Sequence, residues 1–96
     1  MIVIDFETRS KVDIRKTGSS VYARDNSTEV LCLGYTMDGF SAKLWTPDQP
    51  APADLLQAVE DGEEIHAHNA LFERLIWTHI CVPRFGWADV KFEQWR

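Results

Sequence analysis

Asp5 and Glu7 lie two residues apart in the segment Ile-Val-Ile-Asp-Phe-Glu-Thr, at or just past the end of an apolar run. On an extended chain that spacing puts both carboxylates on one face. Neighbouring carboxylates repel, and near neutral pH they need a proton or a cation between them. Oxygen-only donors of this kind suit Mg2+ or Mn2+. Two ordinary surface acids at a strand end would share the spacing. Asn69 and Glu73 lie four apart, one helical turn, so Glu73 can face back toward the strand that Asn69 caps. A solvated acid paired with Arg74 or Arg9 is the ordinary alternative. His66 and His68 have the spacing of a zinc pair, but no convincing third soft ligand accompanies them. His79 reads as a surface or helix-end histidine, and Arg15, Lys16 and Lys43 as solvent charges.

The elements that must position these residues follow from pattern and punctuation. Ile2 to Phe6 reads as a strand; its continuous apolar character predicts burial on both faces, in the middle of a sheet. Thr8 to Thr17 reads as a loop, Gly18-Ser19-Ser20 as a breaker, and Val21 to Arg24 as a short helical turn. Glu29 to Met37 is a second strand. Asp38-Gly39 predicts a type I' hairpin turn into a third strand, Phe40 to Trp45. There Phe40, Ala42 and Leu44 share one side and Ser41 and Lys43 the other, the pattern of a half-covered strand. Pro52 opens a helix to about Glu60 that Asp61-Gly62 stops. Glu64 to Ala67 is a short strand. Asn69 then caps a helix from about Ala70 to Ile80, with Pro83 marking its end. Phe85, Trp87, Phe92 and Trp95 need something to pack on: they fold back over the sheet, or they packed within a longer chain. The order strand, strand, strand, helix, strand, helix implies an α/β arrangement with a mixed sheet and one domain over residues 1–96.

Composition narrows the function. A net charge of −5 argues against a protein whose main task is gripping a phosphate backbone with a basic face. It leaves room for a carboxylate site in which bound cations supply the positive charge. The densest acidic run, Glu60 to Glu64, reads as a solvated helix end and turn. Cys32 and Cys81 are too few for a disulfide framework and read as buried free thiols. No apolar run approaches the ~20 residues that span a bilayer. Met1 to Ile4 meets Asp5 without a basic leader, so no signal peptide is expected and a soluble cytoplasmic protein follows by elimination.

Taken together, "MIVIDFETRS" and "IHAHNALFERLIW" resemble the first and second exonuclease motifs of the DnaQ-like, or DEDD, superfamily. More narrowly, the chain resembles the N-terminal part of the proofreading exonuclease domain in family A DNA polymerases of bacteriophages and prophages. The segments "KTGSSVYARDNSTEVLCLGYTMDG" and "PRFGW" to "EQWR" extend that likeness across essentially the whole chain. D-x-E alone is a weak signal; D-F-E-T after an apolar strand, with H-N-A-x-F-E at this distance, is a strong one.

The resemblance implies a ribonuclease H-like mixed sheet, β-β-β-α-β-α, truncated before the last strand and helices. It implies hydrolysis of a 3'-terminal phosphodiester, as in proofreading during DNA replication, with two Mg2+ or Mn2+ ions. Asp5, Glu7 and Glu73 match the catalytic metal ligands, Glu73 standing where the superfamily usually has aspartate. Phe6, Thr8, His68, Asn69 and Phe72 fall where the terminal nucleotide would be held. The implied partners are a DNA 3' end and the rest of an exonuclease–polymerase polypeptide. The third motif, with a fourth carboxylate and a tyrosine or histidine that orients water, has no counterpart here: the tail lacks the Tyr-x-x-x-Asp and His-x-x-x-x-Asp arrangements. The chain is therefore expected to end before that motif, to be weak or inactive as a nuclease, and to self-associate through an exposed sheet edge. The alternatives are a non-catalytic module that binds nucleic acid or a polymerase, and a prophage gene remnant.

Overall fold

A computed structural model describes residues 1–96. Strand β1 (Ile2–Arg9) is followed by two short helices, α1 (Ile14–Thr17) and α2 (Ser19–Arg24). Strands β2 (Glu29–Thr36) and β3 (Ala42–Trp45), helix α3 (Ala53–Glu60), strand β4 (Ile65–Ala67) and helix α4 (Ala70–Ile76) complete the layout. The strands form one mixed sheet in the order β3-β2-β1-β4. β1 runs antiparallel to β2 and parallel to β4, and β2 runs antiparallel to β3. The fold is α/β, and no helix is long and apolar enough to cross a membrane.

β1 is buried on one face, not two. Ile2, Ile4 and Phe6 enter the core, whereas Val3 is half-buried and Asp5 and Glu7 are exposed. The reason is where the helices pack. Trp77 meets Phe6, Phe85 and Trp87 meet Trp45, and Tyr35 on β2 hydrogen-bonds Asp54 of α3 at 2.9 Å. All of these contacts lie on the Ile4 side. The opposite side, carrying Asp5, Glu7, Cys32, Gly34 and Leu44, has no buried member.

Three local expectations are corrected. Part of the expected loop after Thr8 is ordered: β1 continues to Arg9, and Asp13 caps α1 by accepting from the Arg15 N–H at 3.0 Å. The β2–β3 turn is not type I', because Gly39 has a φ of 83° but Asp38 does not have positive φ. The Asp38 carboxylate closes the turn instead, accepting from the Phe40 and Ser41 amides at 2.8 Å each. On β3 the apolar side is the bare one: Leu44 and Phe40 are 65% and 90% exposed, while Lys43 reaches Asp54 and Trp45 is buried.

Pro83 does not end the second long helix. After α4 the chain widens into a π turn, Trp77–Cys81, in which the Val82 N–H bonds the Trp77 carbonyl. Helix α5 (Val82–Phe85) continues through Pro83 and stops at Gly86, φ 74°. The proline sits in the first turn of α5, where its missing N–H costs least, and the glycine supplies the left-handed stop.

The C-terminal aromatics do fold back. Trp87 and Trp95 pack on Trp77 with ring centroids 5.0 and 6.3 Å away, and the Trp77 indole donates to the Ala88 carbonyl at 3.0 Å. Gln94 is buried and donates to the Val59 and Glu63 carbonyls at 3.0 Å each, which ties the tail to the end of α3. Trp95 forms a parallel bridge with Ile65, and the Arg96 N–H reaches the Ile65 carbonyl at 2.9 Å. The outer edge of β4 is thus partly paired, leaving β3 as the open edge of the sheet. Phe92 stays 75% exposed, with the Arg74 guanidinium 5.1 Å above its ring.

Candidate functional site

The β1–β4 ladder ends at the pair Ile4 and Ala67. The Phe6 amide, two residues on and pointing to the same edge, has no strand partner there. After β4 the chain turns through His68 and Asn69 into α4. Asn69 caps that helix, its Oδ1 accepting from the Phe72 N–H at 3.3 Å. One turn later Glu73 points back at β1, and its Oε2 accepts from the Phe6 N–H at 3.0 Å. A buried carboxylate thereby satisfies an amide that the short β4 leaves free.

Glu73 is only 3% exposed. Burial raises its pKa from 4.5 to about 7; the Phe6 N–H pulls the other way, and the Asp5 and Glu7 carboxylates add to the rise. Asp5 and Glu7 are exposed, and their side chains make no hydrogen bond or ion pair within the chain. The structure therefore sets two unpartnered acids near a third that is fixed and buried. No three His, Cys, Asp or Glu side chains are grouped so as to hold a metal ion as they stand. The donor set is nonetheless all carboxylate oxygen, the chemistry of Mg2+ or Mn2+, and Asp5 and Glu7 have no internal bond to give up on turning toward Glu73.

The neighbouring residues divide. Thr8 and Phe72 come together through Tyr22: the Thr8 and Tyr22 hydroxyls are 2.8 Å apart, and the Tyr22 and Phe72 rings lie 6.1 Å apart. His68 is exposed at the turn and Asn69 is spent on its cap. Phe6 is a correction. Its ring is 4% exposed and lies edge-on to Trp77, so it has no face for a ligand; it contributes its backbone amide. His66 faces Glu64 at 3.7 Å and is not drawn to the carboxylates. Glu73 pairs with neither Arg9, which is bound to Glu29, nor Arg74, which lies over Phe92. Tyr22 was missed in the sequence; its only local signal was a single aromatic within a polar stretch.

Comparison with protein-family models, with curated proteins and with solved structures gave no match, so the geometry carries the functional argument.

Proposed function

We propose that this chain carries the first two metal-ligand segments of a ribonuclease H-like 3'–5' DNA exonuclease domain, with Asp5, Glu7 and Glu73 as ligands. The observation that carries the reading is the Glu73–Phe6 bond, which brings a helix carboxylate to the strand that holds the other two. The layout supports it as well. β1 is flanked by antiparallel β2 and parallel β4, α3 links β3 to β4, and α4 leaves the end of β4 beside the carboxylates. In open α/β sheets, ligand sites gather at such strand ends.

In this reading Asp5, Glu7 and Glu73 would hold the divalent ions, whose positive charge would favour an attacking water and a departing 3' oxygen. The chain's own residues do the holding. Glu73 is anchored by the Phe6 amide, and a cation beside it would favour its charged form over the neutral one that burial favours. Asp5 and Glu7, free of internal partners, turn to complete the donor set. The half-buried Thr8 and Phe72, held together through the buried Tyr22, border the place where the terminal nucleotide would lie. Three carboxylates hold two ions weakly and none of these residues is an evident base for the water, so nuclease activity of this chain alone is expected to be weak.

Titration with Mn2+ followed by NMR tests the reading. Selective broadening at Asp5, Glu7 and Glu73, lost in Asp5→Ala, is the expected result. Broadening spread over the acidic run at Glu60 to Glu64, or unchanged in Asp5→Ala, would sink it. A non-catalytic binding module would instead bind DNA equally well with and without the Asp5 and Glu7 carboxylates.

A further inference from the structure

The charge of this chain is segregated. Five of its ten basic residues fall between Arg9 and Arg24, where Asp13 is the only acid, although the whole chain carries −5. That stretch is the end of β1 and the two short helices, a lobe set between the first two strands. Within it Arg9 is held by Glu29 at 2.8 Å and Arg15 by Asp13 at 3.4 Å. Lys11 and Lys16 are exposed and have no acidic partner.

The lobe is fastened to the carboxylate corner. Its Tyr22 bonds Thr8 at 2.8 Å and packs on Phe72, both beside the candidate site. Arg9 follows Glu7 on the same side of β1, one strand repeat or roughly 7 Å further along. Past it opens a cleft of about 290 Å³ lined by Arg9, Ser10, Lys11, Ser27 and Glu29. Hydroxyls and a free ammonium thus border a site that carries the Asp5 and Glu7 carboxylates. An anionic strand approaching that site meets repulsion unless cations close by offset it. Phosphate contacts of this sort fix register without reading sequence.

We propose that the α1–α2 lobe is a docking surface for the phosphate backbone of a single nucleic-acid strand, with Lys11 and Lys16 as its principal contacts. This rests on the exonuclease reading of Asp5, Glu7 and Glu73 and adds to it where the substrate strand lies.

Fluorescence anisotropy of a short end-labelled oligothymidylate, in EDTA over a range of NaCl, tests the proposal on the full chain. The Lys11→Gln/Lys16→Gln double variant changes two exposed side chains, and circular dichroism checks that its fold is kept. Binding should weaken several-fold, and the slope of log affinity against log salt should become shallower by about 1.4, from ~0.7 per lost phosphate contact. An unchanged affinity and slope, or no binding by the wild type, overturns the lobe as a strand-binding surface. Polyglutamate that binds as tightly through the same two lysines also overturns it, and points to an acidic protein partner. In each of these cases the metal-site reading stands or falls separately, on the Mn2+ broadening at Asp5, Glu7 and Glu73.

Discussion

The Glu73 carboxylate accepts from the Phe6 amide at 3.0 Å across a separation of 67 residues. The bond joins a helix that begins at an asparagine cap to the strand that carries two other acids. It also gives the buried carboxylate one strong partner, against two negative neighbours that disfavour its charge.

The first prediction concerns pH. The Glu73 carboxyl sits at about 7 in the folded chain, against 4.5 for an unperturbed glutamate. Between those values the folded state holds more protons than the unfolded one, so stability is greatest below the lower value and falls as pH rises through the upper. The loss is on the order of 3 kcal/mol. Urea unfolding in EDTA at about pH 5 and about pH 8 should show that fall in wild type and little of it in Glu73→Gln. Asp54, Asp25 and Asp38 act in the opposite sense. Burial raises Asp54, but bonds from Lys43, Tyr35 and the Leu55 amide outweigh it and leave it below 3.8. Hydrogen bonds from Ser27 lower Asp25, and the Ser41 and Phe40 amides lower Asp38. Their stabilisation is complete above about pH 4 and fades below, outside the Glu73 window.

The three acids should separate by variant. Glu73→Ala leaves the Phe6 amide without a partner and opens space in the core, at a cost of about 2–3 kcal/mol. Glu73→Gln retains an acceptor and nearly the same volume, so its cost is below about 1 kcal/mol. Asp5→Asn and Glu7→Gln should be neutral or slightly stabilising near neutral pH, because each removes a repulsion and breaks no bond. Chemical denaturation of the four variants at pH ~7 checks the ranking. A large loss of stability in Asp5→Asn would mean that it holds the fold, contrary to its exposed and unpartnered position.

Association is the third expectation. β3 is an outer strand with one unpaired edge, and Leu44 and Phe40 stand exposed on or beside it. Such an edge templates pairing with another chain. Sedimentation velocity should show concentration-dependent association, and Leu44→Lys should suppress it by placing a charge on the edge strand. A monomer at every concentration in both proteins removes the expectation.

Much of the layout was legible because its signals are local. The Asn69 cap, the helix opening after Pro52 and the glycine stop at Gly62 each act within a turn of where they are read. What escaped depends on distant partners. Burial of only one face of β1 follows from where the helices pack, which its own residues do not encode. Asp38 closes its turn with its side chain, where the dipeptide alone suggested backbone geometry. Pro83 is tolerated because the turn before it had already widened. At the site, the spacing of Asp5 and Glu7 was visible in the strand pattern. The arrival of Glu73 was visible only as a helical offset, since its bond exists because β4 stops early enough to leave the Phe6 amide free. Tyr22 gave no pattern that could tie it to Thr8 and Phe72.

The four tryptophans are the whole indole complement of the chain, and all share one cluster. Trp87 lies 5.0 Å from both Trp45 and Trp77, and Trp77 lies 6.3 Å from Trp95. Rings so close should exchange excitation, so emission is expected to be depolarised and near-ultraviolet dichroism to carry a coupled signal that an isolated indole would not give. Because the cluster joins β3, the π turn and the tail, that signal should weaken as any one of them detaches, which makes it an optical read-out of their docking.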